Sequence, residues 1–162
     1  MLSLSKIKQS LGNSKTLPAI YSFLSNPFST SLRHLEPPLD IPKTPKKVTV
    51  IIPNYNYKNF LDARLKSILN QTYPIYELII LDDASTDGSA DFIENELLIK
   101  ARTKNPDLKL KFLKNTKNSG KSIAQWQKGF KHATGDFLWL AEADDLSDSN
   151  FLAAVMTKFD DK

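Results

Sequence analysis

Cysteine is absent from the 162 residues. That excludes structural disulfides and thiolate metal sites, and it leaves a cytosolic setting compatible. Long apolar runs are missing as well. No stretch approaches the roughly 20 residues needed to cross a bilayer. The opening segment, MLSLSKIKQSLGNSK, interrupts its apolar positions with lysine and glutamine too often for a secretory signal. The reading is therefore a cytoplasmic chain. Internal repeats are lacking too. A strong charge excess is confined to one end: the net charge is +4, and residues 1–45 hold +3 of it, with Lys6, Lys8, Lys15, Arg33 and Lys43 against Glu36 and Asp40. The remainder is close to neutral, which argues against nucleic acid as a partner. The basic head could touch anionic lipid at the inner face of the membrane. Scattered lysines of this kind are more often simply solvated.

What is present is ordinary for a soluble globular protein: 41% hydrophobic and 25% charged residues, at a length suited to one domain with a real core. Residues 1–36 are serine-rich with short apolar patches, and a short amphipathic helix is expected over Ser3–Leu11. Pro37, Pro38, Pro42 and Pro45 then crowd into EPPLDIPKTPKK. Proline at that density forbids a helix and makes an extended linker. The organisation read from this is an extension and linker over 1–45 and a folded domain over 46–162.

Within that domain, apolar runs that suit buried strands alternate with segments of helical period. Strands are predicted at Val48–Ile52, Glu77–Leu81, Lys109–Leu113 and Phe137–Leu140. The first helix is predicted over Lys58–Gln71 with Leu61, Leu65, Ile68 and Leu69 inward. A second runs from a cap at Asp87 to about Arg102. The third covers Lys121–Ala133 with Ile123, Trp126, Gln127 and Phe130 in register, and the last carries Leu152, Val155, Met156 and Phe159 inward. Strand–helix order repeated four times predicts an α/β fold: an open, mostly parallel, Rossmann-like sheet with helices on both faces. Ligands of such sheets sit beyond the carboxyl ends of the strands, where strand order reverses.

Polar residues do crowd at those ends: PNYN after strand one, DDASTDG after strand two, NSGK after strand three and EADD after strand four. Gathering Asp82, Asp83, Glu142, Asp144 and Asp145 at one edge is repulsive without a cation. Carboxylate oxygens suit Mg²⁺ or Mn²⁺, which bridges to a diphosphate. Tyr55 could stack on a base, and Asp83 could accept hydrogen bonds from a base or ribose. Asp87 reads instead as a turn former ahead of a helix. Rival motifs fail on context. The near-match to a calcium loop at Asp83–Glu94 follows a strand rather than a helix. Gly120-Lys121-Ser122 lacks the earlier glycine of a phosphate-binding loop, since Asn115 stands there. No glycine follows strand one, as a dinucleotide site demands. A receiver domain places its paired acids after the first strand, not the second.

Taken in order, VTVIIPNYN, SILNQTY, ELIILDDASTDGS, NSGK and GDFLWLAEADD resemble the family 2 glycosyltransferases of the A-type fold, from Lys46 to Asp145. The resemblance implies an enzyme that transfers a sugar from a nucleotide-diphosphate donor, a UDP-sugar foremost, to a saccharide or lipid-linked acceptor. It implies inversion at the anomeric carbon, metal dependence and a setting in polysaccharide biosynthesis. It places Pro53, Tyr55 and Asn56 around the nucleobase, with Asp83 bonding the base and Asp82 supporting the loop. Gly120 and Lys121 would close over the nucleotide. Glu142-Ala143-Asp144 stands where the family has D-x-D, so that Glu142 would meet the ribose and Asp144 the metal. Glutamate there departs from the usual first acid. The family's general base lies well past this element, so the chain is expected to be a donor-binding half with its base beyond Lys162. The carboxylates that remain, Asp160 and Asp161, are expected to be solvated. Such a half could be inactive alone and could expose apolar surface that favours association. The alternative is a non-catalytic nucleotide-binding or interaction module.

Overall fold

The computed structural model describes residues 41–160. The serine-rich segment with the helix expected over Ser3–Leu11, the first part of the proline-rich linker with Pro37 and Pro38, and Asp161 and Lys162 lie outside the described residues. From residue 41 to Lys47 the chain forms neither helix nor strand, and then four strands alternate with four helices. The strands are β1 (Val48–Asn54), β2 (Glu77–Asp82), β3 (Lys109–Lys114) and β4 (Phe137–Leu140). Helix α1 covers Lys58–Leu69, α3 Ser122–His132 and α4 Phe151–Asp160. Between β2 and β3, helix α2 opens over Ser89–Phe92, loosens into a π-helical stretch over Ile93–Leu97 and closes over Leu98–Lys104. Among the described residues no helix is long and apolar enough to cross a membrane.

All pairings are parallel, and the order is β3-β2-β1-β4. The chain steps twice to one side of β1 and then returns to the other, so strand order reverses between β1 and β4. β1 and β2 are buried on both faces, which explains why VTVII and ELIIL read as unbroken apolar runs rather than alternating ones. Their even-numbered residues (Val48, Val50, Ile52, Leu78, Ile80) join Leu61, Leu65 and Ile68 of α1, Ile93 and Leu97 of α2, and Leu152 and Met156 of α4. The odd-numbered Ile51, Ile79 and Leu81 pack with Phe130 of α3 on the opposite face. Reversing the stepping direction with right-handed crossovers requires that switch of face.

Two expectations need correction. Helix α3 turns inward through Gln125, Gly129 and Phe130, with Trp126 packed partly buried against the same cluster as Phe130, whereas Ile123 and Gln127 stay partly exposed outside it. Gly129 makes the difference: a Cβ on it would stand 2.7 Å from Ile51 Cγ2, so the helix lies closer to the sheet than any side chain permits. Asp87, in turn, is not the cap residue of α2. Gly88 holds that place with φ +81, while Asp87 accepts hydrogen bonds from the Ser89 N–H and hydroxyl and from the N–H of Lys58 at the start of α1. It remains a turn former, now shared by two helix starts.

The SILNQTY segment has a structural task. Gln71 Nε2 donates to the carbonyl of Asp148 (2.6 Å), Gln71 Oε1 accepts from Leu152 N (2.8 Å) and Thr72 N donates to the carbonyl of Ser149 (2.8 Å). The end of α1 thereby fixes the entry to α4 and, through it, the loop after β4. Asp148 accepts from Asn150 N (2.8 Å) and so turns the chain into that helix, while Asp145 N closes a turn onto the carbonyl of Glu142.

Candidate active-site cleft

Every loop at the carboxyl edge of the sheet contributes to one cleft of about 410 Å³. Pro53 and Asn54, the last residues of β1, form one wall with Tyr55 and Tyr57 just beyond it, and Asp83 follows β2. Asn118, Gly120, Lys121, Ser122 and Gln125 form a second wall, and Glu142, Ala143 and Asp144 a third. Asp83 and Asp144, from separate crossover units, thus face the same space. Asn56 and Asp82, also named from the sequence, are not among the lining residues: Asp82 is fully buried and Asn56 is exposed.

Asp82 is fully buried and satisfied within the protein. Its carboxylate accepts from Asn54 Nδ2 (2.8 Å) and Ser85 N (3.0 Å). Asn56 adopts φ 60 and accepts from Thr86 N (2.7 Å) while its own N–H donates to Ser85 Oγ (2.9 Å). The left-handed turn suits asparagine, which tolerates it better than most residues. These bonds zip the PNYN loop to the DDASTDG loop.

Asp83 is 4% exposed and collects donors from three segments. Its carboxylate accepts from Asn115 Nδ2 (2.6 Å), Ser119 N (3.0 Å), Ser119 Oγ (2.6 Å) and Gln125 Nε2 (2.7 Å). It therefore fixes the NSGK loop and the start of α3 as well as lining the cleft. Gly120, at φ +67, supplies the turn that side-chain-bearing residues resist. Neither Asn115 nor Gln125 was singled out from the sequence. The available signal was a glutamine one residue off the apolar stripe of α3.

The acidic loop differs in character. Glu142 is half-buried, whereas Asp144 and Asp145 are exposed. Burial pushes the Glu142 carboxyl up to about 6; a hydrogen bond from Trp126 and the charge of Arg64 oppose the rise, and Asp144 and Asp145 reinforce it. Arg64 was not foreseen either. It lies on the inward stripe of α1, 2% exposed, where a charged residue between Leu61 and Leu65 was the clue.

Among the described residues no group of three or more His, Cys, Asp or Glu is placed to hold a metal ion alone. Yet the donor set suits Mg²⁺ or Mn²⁺. Such ions are commonly held by one or two carboxylates and completed by phosphate oxygens and water, and Asp144 offers an exposed carboxylate on the cleft wall. The residues fit the ion only together with a phosphorylated ligand.

A parallel sheet with its cleft at the strand-order reversal and an acidic loop on the cleft wall defines the class of A-type glycosyltransferase folds. The chain belongs to glycosyl transferase family 2, whose model matches residues 49–162. It is 35% identical over 113 residues to an uncharacterized glycosyltransferase of Nostoc, covering 70% of this chain and 33% of that one. It is 32% identical over 108 residues to a poly(ribitol-phosphate) beta-glucosyltransferase of Bacillus spizizenii, covering 65% of this chain and 16% of that protein. Among solved structures it resembles Staphylococcus aureus TarS in complex with UDP, at a TM-score of 0.61, 29% identity and coverage of 71% and 32%. It also resembles the mannosyltransferase PcManGT of Pyrobaculum calidifontis with GDP-Man and Mn²⁺, at a TM-score of 0.56, 30% identity and coverage of 73% and 34%. The chain spans about a third of the length of the first curated relatives it matches, 36% and 33% in two cases.

Proposed function

We propose that this chain supplies the donor site of a glycosyltransferase and binds a nucleoside-diphosphate sugar, a UDP-sugar foremost, with Mg²⁺ or Mn²⁺. The observation that carries the proposal is the convergence of Asp83 and Asp144 on one cleft. The base lies against Pro53 and Tyr55, whose ring is 44% exposed and open to stacking. Asn56 and Asp82 hold that wall in shape. Asp83 orients the base edge, and Gly120 and Lys121 border the phosphates, where a lysine ammonium is a suitable point charge. Glu142 meets the ribose, and Asp144 holds the ion. The chemistry that an ion held by Asp144 would supply is neutralisation of negative charge on the leaving diphosphate. Transfer with inversion to a saccharide or lipid-linked acceptor follows by family analogy. That UDP, UDP-GlcNAc and GDP-Man occupy related structures supports the donor class and leaves the base open.

Titration calorimetry of UDP and GDP with Mn²⁺ tests the reading. Binding is expected with Mn²⁺ and lost in EDTA and in Asp144→Ala. Binding that is indifferent to both would remove the ion from the site. An assay for UDP release from UDP-sugars then separates transfer from binding alone.

A further inference from the structure

Three carboxylates follow β4 within four residues, Glu142, Asp144 and Asp145, and like charges at that spacing repel. A cation is anchored to the loop that carries them. Arg64 is presented by α1 from the same stripe as Leu61, Leu65 and Ile68, and the sheet and helices leave it 2% exposed. Its guanidinium lies 5.3 Å from the ring centre of Trp139 on β4, and Nη1 donates to Ser147 Oγ (2.9 Å) at the far end of the acidic loop. One side chain therefore spans the loop from its strand to its exit.

A guanidinium among leucine and tryptophan is costly unless charge compensates it, and an apolar side chain of similar length would pack there at less cost. Burial pulls the Arg64 guanidinium down to about 10, and the charges of Asp145, Glu142 and Asp144 oppose the fall. Its Nε is buried without a hydrogen-bond partner, so hydrogen bonding satisfies the fork only in part, through Nη1 and Ser147.

We propose that Arg64 is the resident counter-cation of the acidic loop, a positioning residue that holds Glu142–Ser147 in place before any divalent ion arrives and leaves Asp144 facing the cleft. This deepens the proposed role of Asp144, but its test requires neither nucleotide nor metal. The two readings therefore fail separately.

The experiment is a thermal-unfolding cycle on the full chain in EDTA at low ionic strength, with Arg64→Met, Asp145→Asn and the double variant. Asp145→Asn is expected to lower the melting temperature of the wild-type chain, because Arg64 loses one of the negative charges that offset its burial. In Arg64→Met the same change is expected to raise it, because the remaining acids lose a repeller. The reversal should amount to roughly 3 °C and should fade in high salt. Additive effects would reduce Arg64 to packing and overturn the proposal. Arg64→Lys, which keeps the charge, should preserve the wild-type response to Asp145→Asn, and loss of that response also counts against it. If Arg64→Met does not fold, the wild-type arm decides: a salt-sensitive fall supports the proposal, and a rise or no change overturns it.

Discussion

Replacing Gly129 by alanine sets two opposed effects against each other, and the structure decides between them. Alanine in a helix interior is favoured over glycine by about 1 kcal/mol. The new methyl, however, would stand 2.7 Å from Ile51 Cγ2, 3.1 Å from Ile51 Cδ1 and 3.3 Å from Leu81 Cδ1. Carbon atoms pack best near 3.5–4.0 Å, so the closest contact is short by about 1 Å. Ile51 and Leu81 are fully buried and sit on the two central strands, each paired on both sides, so neither can recede. Helix α3 must shift instead. Overpacking of this kind costs about 1–3 kcal/mol, and immobile neighbours place this case in the upper half. The net expectation is a loss of about 1–2 kcal/mol, or a fall in Tm of roughly 3–8 °C for a chain of this size. Urea unfolding followed by far-UV circular dichroism should show a lower midpoint with an unchanged slope. In an Ile51→Ala background, where the clashing methyls are gone, Gly129→Ala should no longer destabilise. A stabilised Gly129→Ala in the wild-type background would refute the close-approach argument.

Asp83→Asn keeps the shape of the side chain but turns one acceptor into a donor facing the Asn115, Ser119 and Gln125 donors. It should cost about 1–3 kcal/mol and weaken UDP–Mn²⁺ binding at least about tenfold by calorimetry. Unchanged affinity would detach Asp83 from the cleft. Gln71→Ala removes the bonds to Asp148 and Leu152, so the Leu152 amide should exchange hydrogen faster while amides of β2 keep their protection. Glu77 gives a pH signature. Burial raises its carboxyl, but the Lys111 ammonium (2.7 Å), Thr134 N and the Thr49 hydroxyl outweigh burial and hold it below the ordinary 4.5. A depressed folded-state value means stabilisation that is complete above about 4.5 and lost as pH falls through the folded value. Urea midpoints taken from about pH 6 to about pH 3 should fall along that range, and less steeply in Glu77→Gln. Equal slopes in the two proteins would remove Glu77 from acid unfolding.

The architecture was legible because it rests on periodicity. Val48–Ile52 and Glu77–Leu81 read as buried strands, Phe137–Leu140 matches β4 residue for residue, and alternation with helices dictated a parallel sheet. The strand ends extended past the apolar runs, to Asn54 and Asp82, because side chains of the next loops satisfy those polar residues within the ladder. Candidate cleft residues were legible by position, at carboxyl ends of strands, without any knowledge of contacts. What escaped was pairing across distance. Arg64 falls on the apolar stripe of α1, but its partner Ser147 lies 83 positions on and cannot be read from the helix alone. Gln125 looks solvated until Gly129 lets α3 roll toward the sheet. The acids also differ in surroundings that spacing alone does not show: Asp82 and Asp83 accept from amide and hydroxyl donors, whereas Asp144 and Asp145 after β4 are exposed.

The hub at Asp83 has a bearing on how the protein reaches its working form. Residue 83 stands 32 to 42 positions before residues 115, 119 and 125 and meets them only once β2 has aligned with β3 and α3 has crossed to the other face. Such long-range closure is entropically slow, and no local segment can rehearse it. The mouth of the cleft should then be among the last regions to take shape during folding and among the first to dissolve. Ligand binding would accordingly report on the whole sheet rather than on any one loop.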